Sequence, residues 1–76
     1  MFETMMLGLR TMQGVSEEHF RRLHGTELYE KYGDQLDQLE KEGLGGWYSE
    51  RTGGRRFALT ARGVEVQNDV LMRLMD

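Results

Sequence analysis

The stretch Trp47-Tyr-Ser-Glu-Arg-Thr-Gly-Gly-Arg-Arg-Phe-Ala-Leu-Thr-Ala-Arg-Gly63 decides how this chain folds. On either side of positions 51–54 the helical period of the preceding segment gives way to alternation of side chains. Two consecutive glycines within positions 51–54 can supply the positive φ angles of a hairpin turn. The pattern therefore predicts a β-hairpin with strands at residues 47–50 and 55–59.

A last helix is predicted directly after the hairpin. Thr60 is well placed as its N-cap, and Leu59 and Val64 on either side of the cap form a hydrophobic staple. A single small core needs an apolar stripe only a little wider than about 100°. On one continuous helix about half of the circumference would be apolar, so part of this arc should face another surface. The arc consists of Val64, Val66, Val70, Leu71, Leu74 and Met75.

Helix start and stop signals also precede the hairpin. Ser16 is a good N-cap, and Val15 and Phe20 occupy the two positions of a hydrophobic staple. These signals predict a helix over residues 16–24. Gly25 is suited to end this helix in a left-handed conformation.

Two further helices are predicted before the strands. Thr26 can cap one that carries Leu28 and Tyr32 on one face, and the pair Gly33-Asp34 repeats the stop-and-cap signal. The next helix then covers residues 34–42. It should end at the glycines that follow, which are Gly43, Gly45 and Gly46.

The first residues of the chain predict another short helix. Apolar side chains recur at the i, i+3, i+4 and i+7 spacing of one helix face, at Phe2, Met5, Met6 and Leu9. Gly8 lies within this helix, where glycine costs about 1 kcal/mol relative to alanine. Its presence predicts that another part of the backbone passes close to the helix there.

Together these signals predict the order α-α-α-α-β-β-α, which is an α+β fold that is mainly α. Short helices, a two-stranded β-hairpin wing and a C-terminal helix are typical of a winged-helix-like domain. No linker or repeat interrupts residues 1–76, so they should form a single domain. A domain of this length can bury about 60% of the surface that its unfolded chain exposes.

Composition excludes several kinds of site. The chain contains no cysteine, which rules out disulfides, thiolate zinc sites and cysteine-bound iron–sulfur clusters in this segment. No apolar run approaches the roughly 20 residues of a membrane span, and no signal-peptide pattern precedes the first helix. We therefore expect a cytoplasmic protein without membrane contacts. The net charge of −3 gives no general attraction to polyanions.

Four short motifs follow one another along the chain. They are Glu3-Thr-Met-Met-Leu-Gly-Leu-Arg10, Gly14-Val15 before an acidic helix, Leu36-x-x-Leu39-Glu-Lys-Glu-Gly-Leu44, and Leu59-Thr-x-x-Gly63. In order and spacing they resemble the C-terminal domain of the oxygen-independent coproporphyrinogen III oxidase family. That family consists of radical-SAM proteins of haem (porphyrin) biosynthesis and includes haem chaperones. The opening octapeptide is moderately specific, whereas the last motif is shared by many winged-helix proteins.

The resemblance implies that residues 1–76 are the C-terminal fragment of a longer protein. Its parent would be an oxidoreductase, a coproporphyrinogen oxidase or dehydrogenase, or a haem-carrying relative. The family's catalytic barrel uses S-adenosylmethionine and binds a 4Fe-4S cluster through a CxxxCxxC motif. That motif has no counterpart in this chain, so no catalytic, cofactor-binding or metal-binding residue is carried over to it.

A winged-helix fold also raises the alternative of nucleic-acid binding. The helix at residues 34–42 has four acidic residues against one lysine, a local charge of −3, so it should repel a duplex. Residues 44–63 have one glutamate against four arginines, a local charge of +3. Arg51, Arg55 and Arg56 of the wing could contact phosphates or an acidic cofactor. A solvated face, or pairing with the protein's own acidic residues, is the simpler explanation. We expect no sequence-specific DNA binding.

The two histidines do not predict a metal site. His19 and His24 are five residues apart, whereas i, i+4 spacing places two ligands together on a helix. The helix dipole sufficiently explains a histidine near a helix C-terminus such as His24. The resemblance raises the alternative of an axial haem ligand. No catalytic constellation stands out, so we expect no catalysis by this segment alone.

The wide apolar arc of the last helix and the methionine content lead to a functional hypothesis. We expect an accessory domain that docks on the catalytic barrel of the same parent chain and helps to cover its open end. The candidate docking face consists of Met5, Met6, Val66, Val70, Met72 and Leu74. If this face is real, the isolated chain should self-associate through it.

Two alternatives to this hypothesis stay open. The structural one is that the wide arc wraps a tightly packed bundle and contacts nothing else. The functional one is a free-standing winged-helix interaction module that makes protein contacts or weak nucleic-acid contacts through the wing.

Overall fold

Five helices and three short strands make up residues 1–75, the part of the chain that the computed structural model describes. In chain order they are α1 (Phe2–Leu9), β1 (Val15–Ser16), α2 (Glu17–His24), α3 (Leu28–Lys41), β2 (Gly45–Ser49), β3 (Arg55–Leu59), α4 (Ala61–Glu65) and α5 (Gln67–Leu74). The strands form one antiparallel sheet in the order β1-β3-β2. The predicted α+β, mainly helical class is confirmed. The predicted order lacked β1 and the division of the last helix.

The hairpin forms where the sequence predicts it. Trp47 of β2 lies opposite Phe57 of β3, and the Glu50 N–H donates to the Gly54 carbonyl oxygen at 2.7 Å to close the loop. β2 starts two residues earlier than predicted, because Gly45 belongs to the strand and not to the end of a helix. A Cβ at Gly45 would lie 2.6 Å from the Phe57 ring, so the close packing of that ring requires glycine.

Strand β1 was not predicted. It has only two residues, and Val15 lies opposite Phe57 on the edge of β3 that β2 leaves free. Gly14 makes this pairing possible, since its φ is +78° and a Cβ there would lie 2.1 Å from the Phe57 carbonyl oxygen. A two-residue strand is too short to show an alternating pattern, so the sequence carries no period to detect.

The predicted signals for α2 are confirmed. The Ser16 hydroxyl accepts a hydrogen bond from the His19 N–H at 3.2 Å, which satisfies one of the free donors at the start of the helix. Gly25 ends α2 with a φ of +67°. The close approach predicted at Gly8 is also confirmed, because a Cβ there would lie 2.5 Å from Val15 Cγ2 and 3.3 Å from its Cα.

The prediction of two helices between Thr26 and Glu42 is wrong. α3 is continuous from Leu28 to Lys41, and its N-cap is Glu27, which makes no side-chain capping bond. Gly33 does not end a helix. It is buried beneath the ring of Tyr29, where a Cβ would lie 3.0 Å from ring carbons. Tertiary packing therefore explains a glycine that resembles a stop signal.

The last helix begins as predicted but does not continue as one element. The Thr60 hydroxyl accepts a hydrogen bond from the Gly63 N–H at 3.1 Å. The helix is then interrupted at Val66, whose φ of −113° and ψ of 31° are not helical. The interruption separates α4, which contacts β3, from α5, which contacts α1 and α3. A single straight helix was therefore a wrong prediction.

One hydrophobic core joins the elements. Every helix and strand except α4 and β2 supplies side chains to it, and the half-buried Trp47 of β2 packs against it. The core residues are Met5, Leu9, Val15, Phe20, Leu28, Tyr32, Leu36, Leu39, Leu44, Phe57, Val70, Leu71 and Leu74. Among the described residues, no polar or charged residue is classed as buried. The polar and ionic contacts that follow therefore lie at the surface of this core.

Candidate interaction surfaces

The wing arginines differ from one another in their contacts. Arg55 donates to both carboxylate oxygens of Glu17, with its Nη2 at 2.8 Å and its Nε at 3.4 Å. This bond raises the pKa of the Arg55 guanidinium above its usual value. Arg56 pairs with Glu50 at 2.9 Å. Arg51 is exposed, and no ion pair is found for it within residues 1–75. Two of the three predicted wing contacts are thus engaged inside the domain.

An aromatic cluster, which sequence reasoning missed, lies beside Arg55. The Arg55 guanidinium stands 4.2 Å above the Trp47 ring centre, and the Tyr29 ring centre lies 6.4 Å from that of Trp47. The Tyr29 hydroxyl donates to Asp37 at 2.5 Å, and this bond raises the pKa of Tyr29. Gly33 was the sequence feature that could have indicated this cluster, because the absence of a side chain there leaves space for the Tyr29 ring along α3.

The exposed side of α3 is acidic, as the sequence indicates. Glu30, Asp34 and Glu40 are exposed there, and none of the ion pairs found within the described part of the chain includes them. Anions on the helix that would face a duplex oppose phosphate binding. The internal pairing of Arg55 and Arg56 leaves few cations nearby to compensate.

The two histidines lie in different settings. His24 Nε2 is 2.8 Å from the Thr4 hydroxyl oxygen, and the His24 ring packs on Phe20 with ring centres 4.7 Å apart. These contacts join the end of α2 to α1. His19 is exposed. Within residues 1–75, no group of three or more His, Cys, Asp or Glu side chains could hold a metal ion.

The predicted docking face is only partly at the surface. Met5, Val70 and Leu74 have no exposed area and belong to the core, so they cannot contact a partner in this fold. Met6 is half-buried against the core. The other two members are exposed, Val66 by 41% and Met72 by 70%. For Val70 and Leu74 the physical reason is the interruption at Val66, which changes the face that α5 turns toward the core. Met5 is buried because it lies on the face of α1 that packs into the core.

A surface cleft lies between α1 and α2 and was not predicted. Its volume is about 940 Å³, and it extends to the loop of the hairpin. Leu7 and Leu23 line it and are exposed by 62% and 57%. Charged side chains at the cleft pair with each other, Arg22 with Glu18 at 3.5 Å and Arg56 with Glu50. The sequence feature that could have indicated this cleft is Leu7, an apolar residue that lies outside the apolar face of α1.

The comparison with protein families identifies the chain. A family model described as the HemN C-terminal domain matches residues 1–66, so the chain belongs to that family. The resemblance to the C-terminal domain of coproporphyrinogen III oxidases is thereby confirmed. Neither curated proteins nor solved structures gave a match. No helix within residues 1–75 is long and apolar enough to cross a membrane.

Proposed function

We propose that this chain is the accessory C-terminal domain of an oxygen-independent coproporphyrinogen III oxidase-like protein and that it docks on the catalytic barrel of that protein. Family membership supports the identity of the parent. The parent would be a radical-SAM protein of haem biosynthesis that carries the 4Fe-4S cluster and S-adenosylmethionine in its barrel. Nothing in this chain's own residues supplies that chemistry.

The observation that carries the docking proposal is the amount of exposed apolar surface beside a filled core. Ten large hydrophobic side chains of the described residues are exposed by 41% or more. Single exposed apolar residues are ordinary on protein surfaces, but several on neighbouring elements indicate a contact surface. Four of them lie on α4, α5 and the residues directly adjoining those helices: Val64, Val66, Met72 and Met75.

The energetic reason for docking follows from these exposures. Covering a fully exposed Val or Met side chain contributes roughly 1.5–3 kcal/mol. Met72 is 70% exposed. We therefore assign the docking surface to Val66 and Met72, with the half-buried Met6 as a further candidate. Met5, Val70 and Leu74 no longer belong to it.

Binding in trans tests the proposal. The partner is the catalytic barrel of an oxygen-independent coproporphyrinogen III oxidase-like protein, which carries the CxxxCxxC motif and is prepared without its own C-terminal domain. We expect the 76-residue chain to form a complex with it in light scattering and calorimetry. If the two proteins stay separate at high micromolar concentration, the proposed function is wrong.

The alternative of a free-standing winged-helix interaction module has less support. The β1-β3-β2 sheet and the position of α3 before the hairpin are compatible with a winged helix. Nucleic-acid contact is disfavoured because α3 exposes carboxylates and because Arg55 and Arg56 are paired with Glu17 and Glu50. A protein partner other than the barrel would satisfy the same apolar surface.

A further inference from the structure

The six methionines of this chain differ sharply in how much of each side chain the solvent reaches. Met5 is fully buried in the core, and Met6 is half-buried against it. The other four are exposed: Met12 by 98%, Met72 by 70%, Met75 by 59% and Met1 by 46%. Because the chain has no cysteine, methionine is its only residue type with a readily oxidised sulfur. The fold therefore determines which sulfur atoms an oxidant in solution can reach.

Met72 lies where oxidation changes the surface of the domain but leaves its core intact. The neighbouring Val70, Leu71 and Leu74 are buried and hold α5 against the rest of the domain. Met72 itself faces solvent, so a polar sulfoxide at this position stays hydrated and costs the fold little. At Met5, by contrast, a sulfoxide would place a polar oxygen among apolar core side chains.

We propose that Met72 is a reversible oxidation site at which hydroperoxides prevent the domain from docking. This inference rests on the proposed function, because Met72 belongs to the docking surface assigned above. In the reaction with hydrogen peroxide, a lone pair of the Met72 sulfur attacks one peroxide oxygen, and the O–O bond breaks as the S–O bond forms. The proton of the transferred oxygen moves to the departing oxygen, which leaves as water. The sulfur loses two electrons and the peroxide gains them.

A sulfoxide at Met72 weakens docking because the partner surface then has to cover a polar group. Burial strips water from the sulfoxide oxygen, whereas burial of the thioether removes apolar surface from water. Docking in turn covers Met72, so the oxidation acts on the undocked chain. Met12 is even more exposed, but it lies between α1 and β1, outside the docking surface. Oxidation of Met12 should therefore leave docking unchanged.

Peptide mapping by mass spectrometry tests which methionines react. The 76-residue chain is treated with dilute hydrogen peroxide for increasing times, and the peroxide is removed before digestion. We expect Met72 and Met12 to be oxidised roughly tenfold or more faster than Met5, because the fold shields Met5. Circular dichroism should show that the treated chain stays folded. If Met72 reacts no faster than Met5, or if its oxidation unfolds the chain, the proposal is overturned.

Calorimetry with the catalytic barrel tests the effect on docking. After removal of the peroxide, the treated chain should bind the barrel roughly tenfold or more weakly than the untreated chain. Methionine sulfoxide reductases should restore the binding. Met72→Leu keeps an apolar side chain of similar volume without the thioether, so this variant should bind equally well before and after treatment. Met12→Leu is the matched control, and its binding should remain as sensitive to peroxide as that of the original chain.

The outcomes separate this proposal from the proposed function. If the untreated chain does not bind the barrel, the proposed function is wrong, and the role of Met72 oxidation is wrong with it. If the untreated chain binds and the treated chain binds equally well, docking stands and only the oxidation proposal is overturned. The same conclusion follows if peroxide weakens the binding of Met72→Leu as much as that of the original chain.

Discussion

The wing and the C-terminal helices differ in whether their prominent side chains have partners within the domain. In the wing, Arg55 and Arg56 are engaged by Glu17 and Glu50 of the same domain. On the C-terminal helices, Val66 and Met72 are exposed, although they are apolar. The comparison shows that the charged side chains of a wing can be paired within the domain, while an amphipathic helix can leave apolar side chains exposed and available to a partner. This contrast supports the proposal that the C-terminal helices carry the docking surface.

The largest expected effect concerns Gly63, which connects the two regions. A Cβ at Gly63 would lie 1.9 Å from the Leu44 carbonyl oxygen. Backbone cannot move aside as a flexible side chain can, so Gly63→Ala should lower the free energy of unfolding by about 2–3 kcal/mol. Urea denaturation followed by circular dichroism measures this change.

Gly46→Ala is the matched control for that substitution. Nothing lies within 4 Å of a Cβ at Gly46, so its effect should be about 0.5 kcal/mol or less in either direction. Equal destabilisation by the two substitutions would show that Gly63 does not pack closely against the Leu44 carbonyl group.

A smaller effect is expected from the paired arginine of the wing. Arg55→Ala removes the bond to Glu17 and the contact with the Trp47 ring. Because the Arg55 side chain is 47% exposed, solvent weakens both contacts, and the loss of stability should be about 1 kcal/mol. Arg51→Ala should change stability by less than about 0.5 kcal/mol. If both substitutions change the free energy of unfolding equally in urea denaturation, the contacts of Arg55 with Glu17 and Trp47 do not stabilise the domain.

A pH-dependent contact joins α5 to the end of α3. The hydrogen bond from Arg73, at 2.6 Å, lowers the pKa of Glu42 below its usual value of 4.5. A lowered folded-state pKa contributes stability above the unfolded-state pKa, and this contribution is lost as pH falls through the folded-state value. Glu42→Gln should therefore be less stable than the original chain at neutral pH. The difference should shrink below about pH 4.5.

Glu40→Gln is the control for Glu42, since Glu40 is exposed on the same helix without an ion pair among those found in residues 1–75. At neutral pH its unfolding curve should follow that of the original chain. If Glu42→Gln and Glu40→Gln lose the same stability at neutral pH, the contact between Glu42 and Arg73 does not stabilise the domain.

The smallest expected effect is the binding of DNA to this chain. Paired wing arginines and an acidic α3 leave little to neutralise phosphates, so gel-shift binding at physiological salt should be absent or weak and non-specific. One sequence preferred by about 10³-fold or more over competitors would contradict this expectation. Weak binding that disappears in Arg51→Ala would locate the contact at the wing without making it specific.

Local signals predicted the parts of the fold that local chemistry determines. The Ser16 and Thr60 caps and the loop of the hairpin depend on a few neighbouring residues, and all three are confirmed. Gly33 and Val66 were misjudged because packing with distant elements decides them. Gly33 lies under Tyr29, and the backbone turns at Val66 so that α5 reaches α1 and α3.

Residues of the candidate surfaces could be predicted only where the sequence showed which face of a helix each side chain occupies. Val66 and Met72 are exposed, so they can belong to a docking face as predicted. Val70 and Leu74 were included because a helical projection treats α4 and α5 as one continuous helix, and Met5 of α1 was included because methionine suits adaptable apolar contacts; all three are buried. The pairing of Arg55 with Glu17 spans distant positions in the sequence, and no spacing rule connects them.

Binding of variants to the barrel protein tests the central claim most directly. Calorimetry with the oxygen-independent coproporphyrinogen III oxidase-type barrel should be run for the original chain, Met72→Gln and Arg51→Ala, with circular dichroism to confirm the fold of each. Losing the burial of Met72 should weaken binding by roughly 10- to 100-fold. Arg51→Ala should bind like the original chain. The reverse order, with Arg51→Ala weakened and Met72→Gln unchanged, would contradict the assignment of the functional surface to the C-terminal helices.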